Sequence, residues 1–242
     1  MAESPLLYYI TDRTALAPDE PARRRRLLEK IAQGARANVD YIQLREKDLS
    51  TRELESLASE AMRMITKLRT GNRELRTRLL INSRADIALA VQADGVHLRS
   101  NDVSPGEART MWRCSRVGTA ALGFPAARSA PTAGDEARAF QQEPLIGISC
   151  HTPEEVAATR NSGATFAVFA PVFEKKDAPG APPAGLAQLR EACKVDIPVL
   201  ALGGITLANA HSCLEAGAAG LAAIRLFQEH DIAEVAARLR NL

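Results

Sequence analysis

The chain has 242 residues, 46% of them hydrophobic and 25% charged, and its 31 basic and 29 acidic side chains leave a formal net charge of +2. This is an ordinary globular composition, and it excludes disordered, collagen-like and membrane-spanning readings. With so small a charge excess there is no global field to hold nucleic acid or anionic lipid, so neither is expected as a partner and any anion site must be local.

The run Arg23, Arg24, Arg25, Arg26 opens an amphipathic segment with Leu27, Leu28 and Ile31 on its apolar side, the pattern of a solvated helix face rather than a targeting patch. Cys114, Cys150, Cys193 and Cys213 form no C-x-x-C pair, and the first residues lack the apolar core of a signal peptide, so a reduced, cytoplasmic protein is expected. No Cys/His pair has the spacing of a zinc site.

Along the chain, short apolar runs alternate with stretches of helical periodicity, as in a parallel sheet wrapped by helices. Strands are predicted at 6–11, 41–45, 78–83, 95–98, 145–149, 165–173, 198–205 and 220–227. Helical patterns fall between them at 51–68, 153–162, 186–193, 207–216 and 232–239. The first carries Leu54, Leu57, Ala58, Ala61 and Ile65 on one face. Ser50 with Glu53 and Thr152 with Glu155 have capping-box spacing. Eight strand–helix units in a chain of this length predict an α/β fold, a single (β/α)8 TIM barrel over residues 1–242. No G-x-G-x-x-G follows the first strand, which argues against a dinucleotide-binding sheet. Residues 113–144 are predicted as an insertion or extended connection, with 116–122 as an alternative strand.

In such a barrel the strand C-termini build the active face. Strand two ends Gln43-Leu44-Arg45-Glu46-Lys47, and with a period of two Gln43, Arg45 and Lys47 share one side. Two cations and an amide suit a diphosphate, the alternative being a rim ion pair between Arg45 and Glu46. Asn82 ends strand three. Asp102 follows strand four and is a candidate Mg2+ ligand, since that ion takes one or two carboxylates together with phosphate oxygens. Ser149 and His151 end strand five, and a histidine there can move protons. Gly203 and Gly204 after strand seven, with Ile224 and Arg225 after strand eight, fit the phosphate cup common in this fold.

Taken in order, Tyr9-Ile10-Thr11-Asp12, Gln43-Leu44-Arg45-Glu46-Lys47, Ile81-Asn82, Ala93-Asp94-Gly95-Val96-His97-Leu98, Gly147-Ile148-Ser149 with His151-Thr152, Ala170-Pro171-Val172-Phe173 and Leu202-Gly203-Gly204-Ile205 closely resemble the thiamine phosphate synthase family, which includes the thiazole tautomerases. The resemblance implies a Mg2+-assisted transferase of thiamine biosynthesis that joins hydroxymethylpyrimidine diphosphate to a thiazole phosphate and releases pyrophosphate. It implies Lys47, Arg45 and His151 as catalytic groups and Asp102 as the metal ligand. Gln43, Arg45, Lys47, Asn82, Ser149, Lys175, Lys176, Gly203, Gly204, Ile224 and Arg225 would bind the substrates.

Four features depart from the family pattern. Ser83 follows Asn82 where the synthases carry a second acidic ligand. The loop after strand four reads Arg99-Ser100-Asn101-Asp102, adding a cation. Glu174-Lys175-Lys176-Asp177 replaces a hydroxyl-bearing loop after strand six, and Arg225 stands where a small residue is usual. The alternative readings are a thiazole tautomerase working through His151 without metal, and a non-catalytic barrel that binds a phosphorylated ligand. A homo-oligomer is compatible with the sequence, which leaves the oligomeric state open.

Overall fold

The computed structural model describes residues 4–121, 143–174 and 182–242. Eight parallel strands close into a barrel in sequence order, β1 (Leu6–Ile10), β2 (Tyr41–Leu44), β3 (Arg78–Asn82), β4 (Gly95–Leu98), β5 (Leu145–Cys150), β6 (Phe166–Phe169), β7 (Val199–Leu202) and β8 (Gly220–Ala223). β8 pairs back onto β1 from Leu6↔Gly220 to Tyr9↔Ala223, which removes both sheet edges.

Around the barrel lie α1 (Glu20–Arg36), α2 (Thr51–Gly71), α3 (Ala85–Ala90), α4 (Pro105–Ala121), α5 (Pro153–Thr159), α6 (Gly185–Ala192), α7 (Ala210–Glu215), α8 (Arg225–Gln228) and α9 (Ile232–Arg240). Their starts follow from local chemistry. Asp19, Thr152 and Asp231 accept from backbone N–H groups in the first turns of α1, α5 and α9. Ser50 and Glu53 form a complete capping box on α2.

The strands are apolar on both faces, and their alternation sorts the side chains into two cores. Tyr8, Ile10, Leu80, Leu145, Phe166, Val168, Leu200 and Ala222 fill the barrel interior. Leu7, Tyr9, Ile42, Leu79, Ile81, Val96, Phe169 and Ala201 face outward into the helix layer. Each fully buried Leu or Phe among them contributes about 2–3 kcal/mol. Gly147 on β5 makes room in the interior, because a Cβ there would lie 2.5 Å from the Phe166 ring and 2.8 Å from His97 Nδ1.

The N-terminal ends of the strands are tied by half-buried ion pairs. Asp94 Oδ2 accepts from the Leu79 amide and pairs with Arg69, while Asp40 Oδ2 accepts from the Leu7 amide and pairs with Arg240. Such clamps at the lower face are structural, and they leave the C-terminal ends for chemistry.

The predicted order and type of elements match the structure, with three differences. The strand predicted at 220–227 stops at Ala223, and Arg225–Gln228 is helical. The runs at 165–173 and 198–205 pair as strands only over Phe166–Phe169 and Val199–Leu202. The alternative strand at 116–122 is overturned as far as Ala121, because α4 continues through that residue. The remainder of the predicted insertion, 122–142, lies outside the described residues.

The arginine cluster is the solvated face expected: Arg24 pairs with Glu60 of α2, Arg23 donates to the Ala17 carbonyl and Arg26 to that of Leu16. Among the described residues no helix is long and apolar enough to cross a membrane.

Candidate active site

At the C-terminal mouth, β2 and β3 run in register from Tyr41↔Arg78 to Leu44↔Ile81, so Gln43 and Asn82 face the same opening. Gln43 is buried, and its Nε2 donates to Asn82 Oδ1 at 3.0 Å. The Asn82 amide in turn donates to Ser83 Oγ at 3.2 Å. Ser83 takes a left-handed backbone, φ 61°, which turns the chain sharply off β3.

Arg45 is half-buried and Lys47 exposed, and neither side chain has an ion pair or hydrogen bond within the described residues. They lie close enough to act on one another. Arg45 first, then burial, then Arg99 push the Lys47 ammonium below its ordinary pKa. The rim pair between Arg45 and Glu46, the alternative to an anion-binding role, is not formed. Glu46 turns the other way, is buried, accepts from Thr11 Oγ1 and binds the Arg13 amide and guanidinium at 3.0 and 3.3 Å. Arg13 also binds Asp48 at 2.6 Å and Glu20 at 2.8 Å. Because Thr11 Oγ1 receives the Arg45 amide at 3.0 Å, this buried network fixes the backbone from which Arg45 projects.

Across the mouth, Ser149 Oγ lies 2.9 Å from His97 Nε2, and His97 Nδ1 lies 3.2 Å from Tyr8 OH. Burial lowers the His97 imidazole to about 4, against a smaller upward pull from Asp102, so at neutral pH it is uncharged. In the sequence His97 stands out only as part of the Ala93–Leu98 motif. The signal that finds it is strand parity, since Asn82↔His97 and His97↔Gly147 place it in the inner layer between Asn82 and Ser149.

His151 is exposed, and its Nδ1 lies 2.7 Å from the Ala170 carbonyl. A carbonyl only accepts, so Nδ1 carries the proton and Nε2 is the atom left for other partners. On the far side, β7 and β8 register at Leu202↔Ala222, and two residues beyond that pair stand Gly204 and Ile224, with Arg225 opening α8. Gly203 and Gly204 have φ 103° and 64°, and a Cβ on Gly204 would come 2.7 Å from the Glu174 carbonyl, so this close approach requires glycine. Lys175 and Lys176, also expected at the mouth, lie outside the described residues.

Asp102 is at the mouth, but its side chain is 9% exposed and already engaged. Arg99 Nη2 donates to Oδ1 at 3.0 Å and the Arg99 amide to Oδ2 at 2.8 Å. Burial alone would raise its carboxyl, and the bonds from Arg99 and Ser83 reverse that and hold it below the ordinary range. Among the described residues no group of three His, Cys, Asp or Glu could hold a metal ion. Mg2+, implied by the family resemblance, needs only one or two carboxylates beside phosphate oxygens, and it does not fit this arrangement because Asp102, the acid at this mouth among the described residues, is paired with Arg99 and the neighbouring groups are cations.

Cys150, Cys193 and Cys213 take no part. All are free, and burial pushes their thiols up to about 12, 11 and 12, respectively. Depressions on the outer face of α1 and α2 gather no reactive groups, and their Arg24 and Glu60 pair with each other.

The fold is a closed (β/α)8 barrel, and its C-terminal mouth carries cations without an ionic partner among the described residues on one side and a glycine turn on the other. The family model for thiamine monophosphate synthase matches residues 7–134 and 129–227. The chain is 36% identical over 241 residues to a thiamine-phosphate synthase of Syntrophomonas wolfei, covering 98% of this chain and 95% of that protein. It is 33% identical over 229 residues to the thiamine-phosphate synthase of Clostridium novyi, covering 93% of this chain and 91% of that protein. The solved thiamine phosphate pyrophosphorylase from Pyrococcus furiosus superposes with a TM-score of 0.69 at 26% identity, covering 97% of this chain and 93% of that one. The chain belongs to the thiamine monophosphate synthase family.

Proposed function

We propose that this barrel is a thiamine-phosphate synthase, a transferase that joins hydroxymethylpyrimidine diphosphate to a thiazole phosphate. The observation that carries the reading is the pair Arg45 and Lys47, both without ionic partners among the described residues, beside Asn82 and Ser149 at a mouth otherwise rich in satisfied ion pairs. Unpaired cations held near one another repel, and an anion of high charge relieves that repulsion.

The reaction breaks the bond between the pyrimidine methylene carbon and the diphosphate oxygen, and the electron pair leaves with pyrophosphate. The thiazole nitrogen then donates its lone pair to the methylene carbon, forming the new C–N bond of thiamine phosphate. No proton need move. The contribution required of the protein is charge stabilisation on the leaving group and alignment of the two rings. Arg45 and Lys47 neutralise the departing pyrophosphate, and the Asn82 amide and Ser149 hydroxyl orient it. The Gly203–Gly204 turn, with the Ile224–Arg225 backbone, holds the thiazole phosphate. Lys175 and Lys176, which follow β6 in the sequence and lie outside the described residues, are further candidates for phosphate contact in this reading.

Both substrates are small phosphorylated heterocycles, and a net charge of +2 gives no global field that calls for a nucleic-acid or membrane partner. The synthase names of the relatives favour this activity over the tautomerase and the silent barrel. The test is to incubate purified protein with both substrates, with and without Mg2+, and to measure pyrophosphate release, thiamine phosphate and thiazole isomerisation separately. Stoichiometric pyrophosphate and thiamine phosphate support the proposal. Isomerisation without pyrophosphate, or binding of thiazole phosphate without turnover, overturns it.

A further inference from the structure

We propose that Arg99 occupies, beside the bound diphosphate, the position a divalent cation would otherwise take, so that Arg45, Lys47 and Arg99 hold the leaving pyrophosphate without metal. The inference rests on the diphosphate reading above and concerns how that anion is held.

The loop after β4 folds back on itself through the Asp102 amide, which donates to the Arg99 carbonyl at 3.1 Å. Within that turn the guanidinium is clamped from two sides. Asp102 Oδ1 takes Nη2 at 3.0 Å, and Ser83 Oγ takes Nε at 3.0 Å. Nη1 has no partner among the described residues, and the side chain is 49% exposed against 9% for Asp102. The carboxylate is thus the buried anchor, and the guanidinium is the half-exposed group it presents. Serine at 83 suits this arrangement, because its hydroxyl accepts from the guanidinium and from the Asn82 amide while also bonding Asp102. An acid at 83 would add a second negative charge to the same pocket.

A dication entering here has to displace Arg99 from its only carboxylate and then sit among three cations. A diphosphate entering meets the opposite situation. Planar guanidinium groups engage phosphate oxygens with paired N–H donors, and Arg99 is already oriented by two bonds on its other edge. The same geometry makes Asp102 a positioning residue for Arg99 rather than a metal ligand.

The experiment is a calorimetric titration of inorganic pyrophosphate into the full-length protein in EDTA and again in MgCl2, with Mn2+ electron paramagnetic resonance reporting metal uptake directly. The wild type is expected to bind pyrophosphate in EDTA and to take up no Mn2+ beyond a pyrophosphate-only control. Arg99→Gln is expected to weaken binding in EDTA at least ~10-fold, the scale of one charge-assisted contact, with Arg99→Lys recovering part of the loss. Asp102→Asn, which keeps a neutral acceptor, is expected to lose less than Arg99→Gln. Wild-type binding that appears only with Mg2+, accompanied by Mn2+ uptake and unchanged in Arg99→Gln, overturns the proposal while leaving the diphosphate reading intact. No binding in either buffer overturns the diphosphate reading, and this inference with it.

Discussion

His97 Nε2 sits 2.9 Å from Ser149 Oγ, joining β4 to β5 inside the barrel mouth. The imidazole is buried and held down to about 4, so it orients the serine hydroxyl as a neutral partner and does not titrate near neutrality. A histidine free in the unfolded chain has a pKa near 6.5. Because the folded value is the lower one, the unfolded state binds the proton first. Stability from this group is complete above about 6.5 and is lost as pH falls towards 4, by about 3 kcal/mol. Urea unfolding at several pH values should therefore show a shallower decline between 6.5 and 4 in His97→Asn than in the wild type. Equal slopes would mean that the imidazole is not held neutral.

The Arg13–Glu46 pair supports the second strand end from below. Removing a buried carboxylate leaves the guanidinium partly uncompensated, but Asp48 and Glu20 still hold Arg13. Glu46→Ala is expected to cost about 3 kcal/mol, at the low end of the range for breaking a buried pair, and Glu46→Gln less because it keeps an acceptor for Thr11. The Arg45 amide bonds Thr11 Oγ1, which itself bonds Glu46, so the alanine variant should also raise KM for the diphosphate substrate. Denaturation midpoints and steady-state kinetics on one preparation check both.

How much of this was legible before folding depended on the range of the interaction. Strand parity is local, so spacing alone assigns Gln43, Arg45 and Lys47 to one side of the mouth, and capping at Ser50 is read in the same way. The partner of Glu46 is 33 residues away at Arg13, and no local pattern separates that pairing from one with adjacent Arg45. The strand at 220–227 was overextended for a related reason. Leu226 and Phe227 are buried in the helix layer, and an apolar run reads the same whether a strand or a helix buries it. The Arg99–Asp102 clamp depends on Ser83 adopting a left-handed backbone, an uncommon conformation for serine that composition does not announce.

His151 distinguishes the two chemistries available to the family. Its Nδ1–H is spent on the Ala170 carbonyl, and coupling the two substrates requires no proton transfer. His151→Ala should leave pyrophosphate release within ~3-fold of wild type, whereas general acid–base catalysis by this residue would make the loss about 10²–10⁴-fold. A loss of that larger size in a stopped assay would assign the histidine to the reacting atoms.

Arg45 and Lys47 make the sharpest test because the first acts on the ionisation of the second. Removing either should lower kcat about 10²–10³-fold if it stabilises charge developing on the leaving group. Their coupling gives a second readout. Arg45 is the foremost cause of the depressed Lys47 pKa, and the ammonium binds an anion only while protonated. Pyrophosphate affinity of the free protein should thus fall as pH rises through a value below 10.5, and the alkaline limb of kcat/KM should follow it. In Arg45→Met the largest part of the repulsion is gone, with Arg99 remaining, so that limb should move to higher pH even though overall affinity is weaker. Lys47→Met should abolish the limb. A limb that stays in place in both variants would show that another group titrates there and that the lysine does not hold the anion.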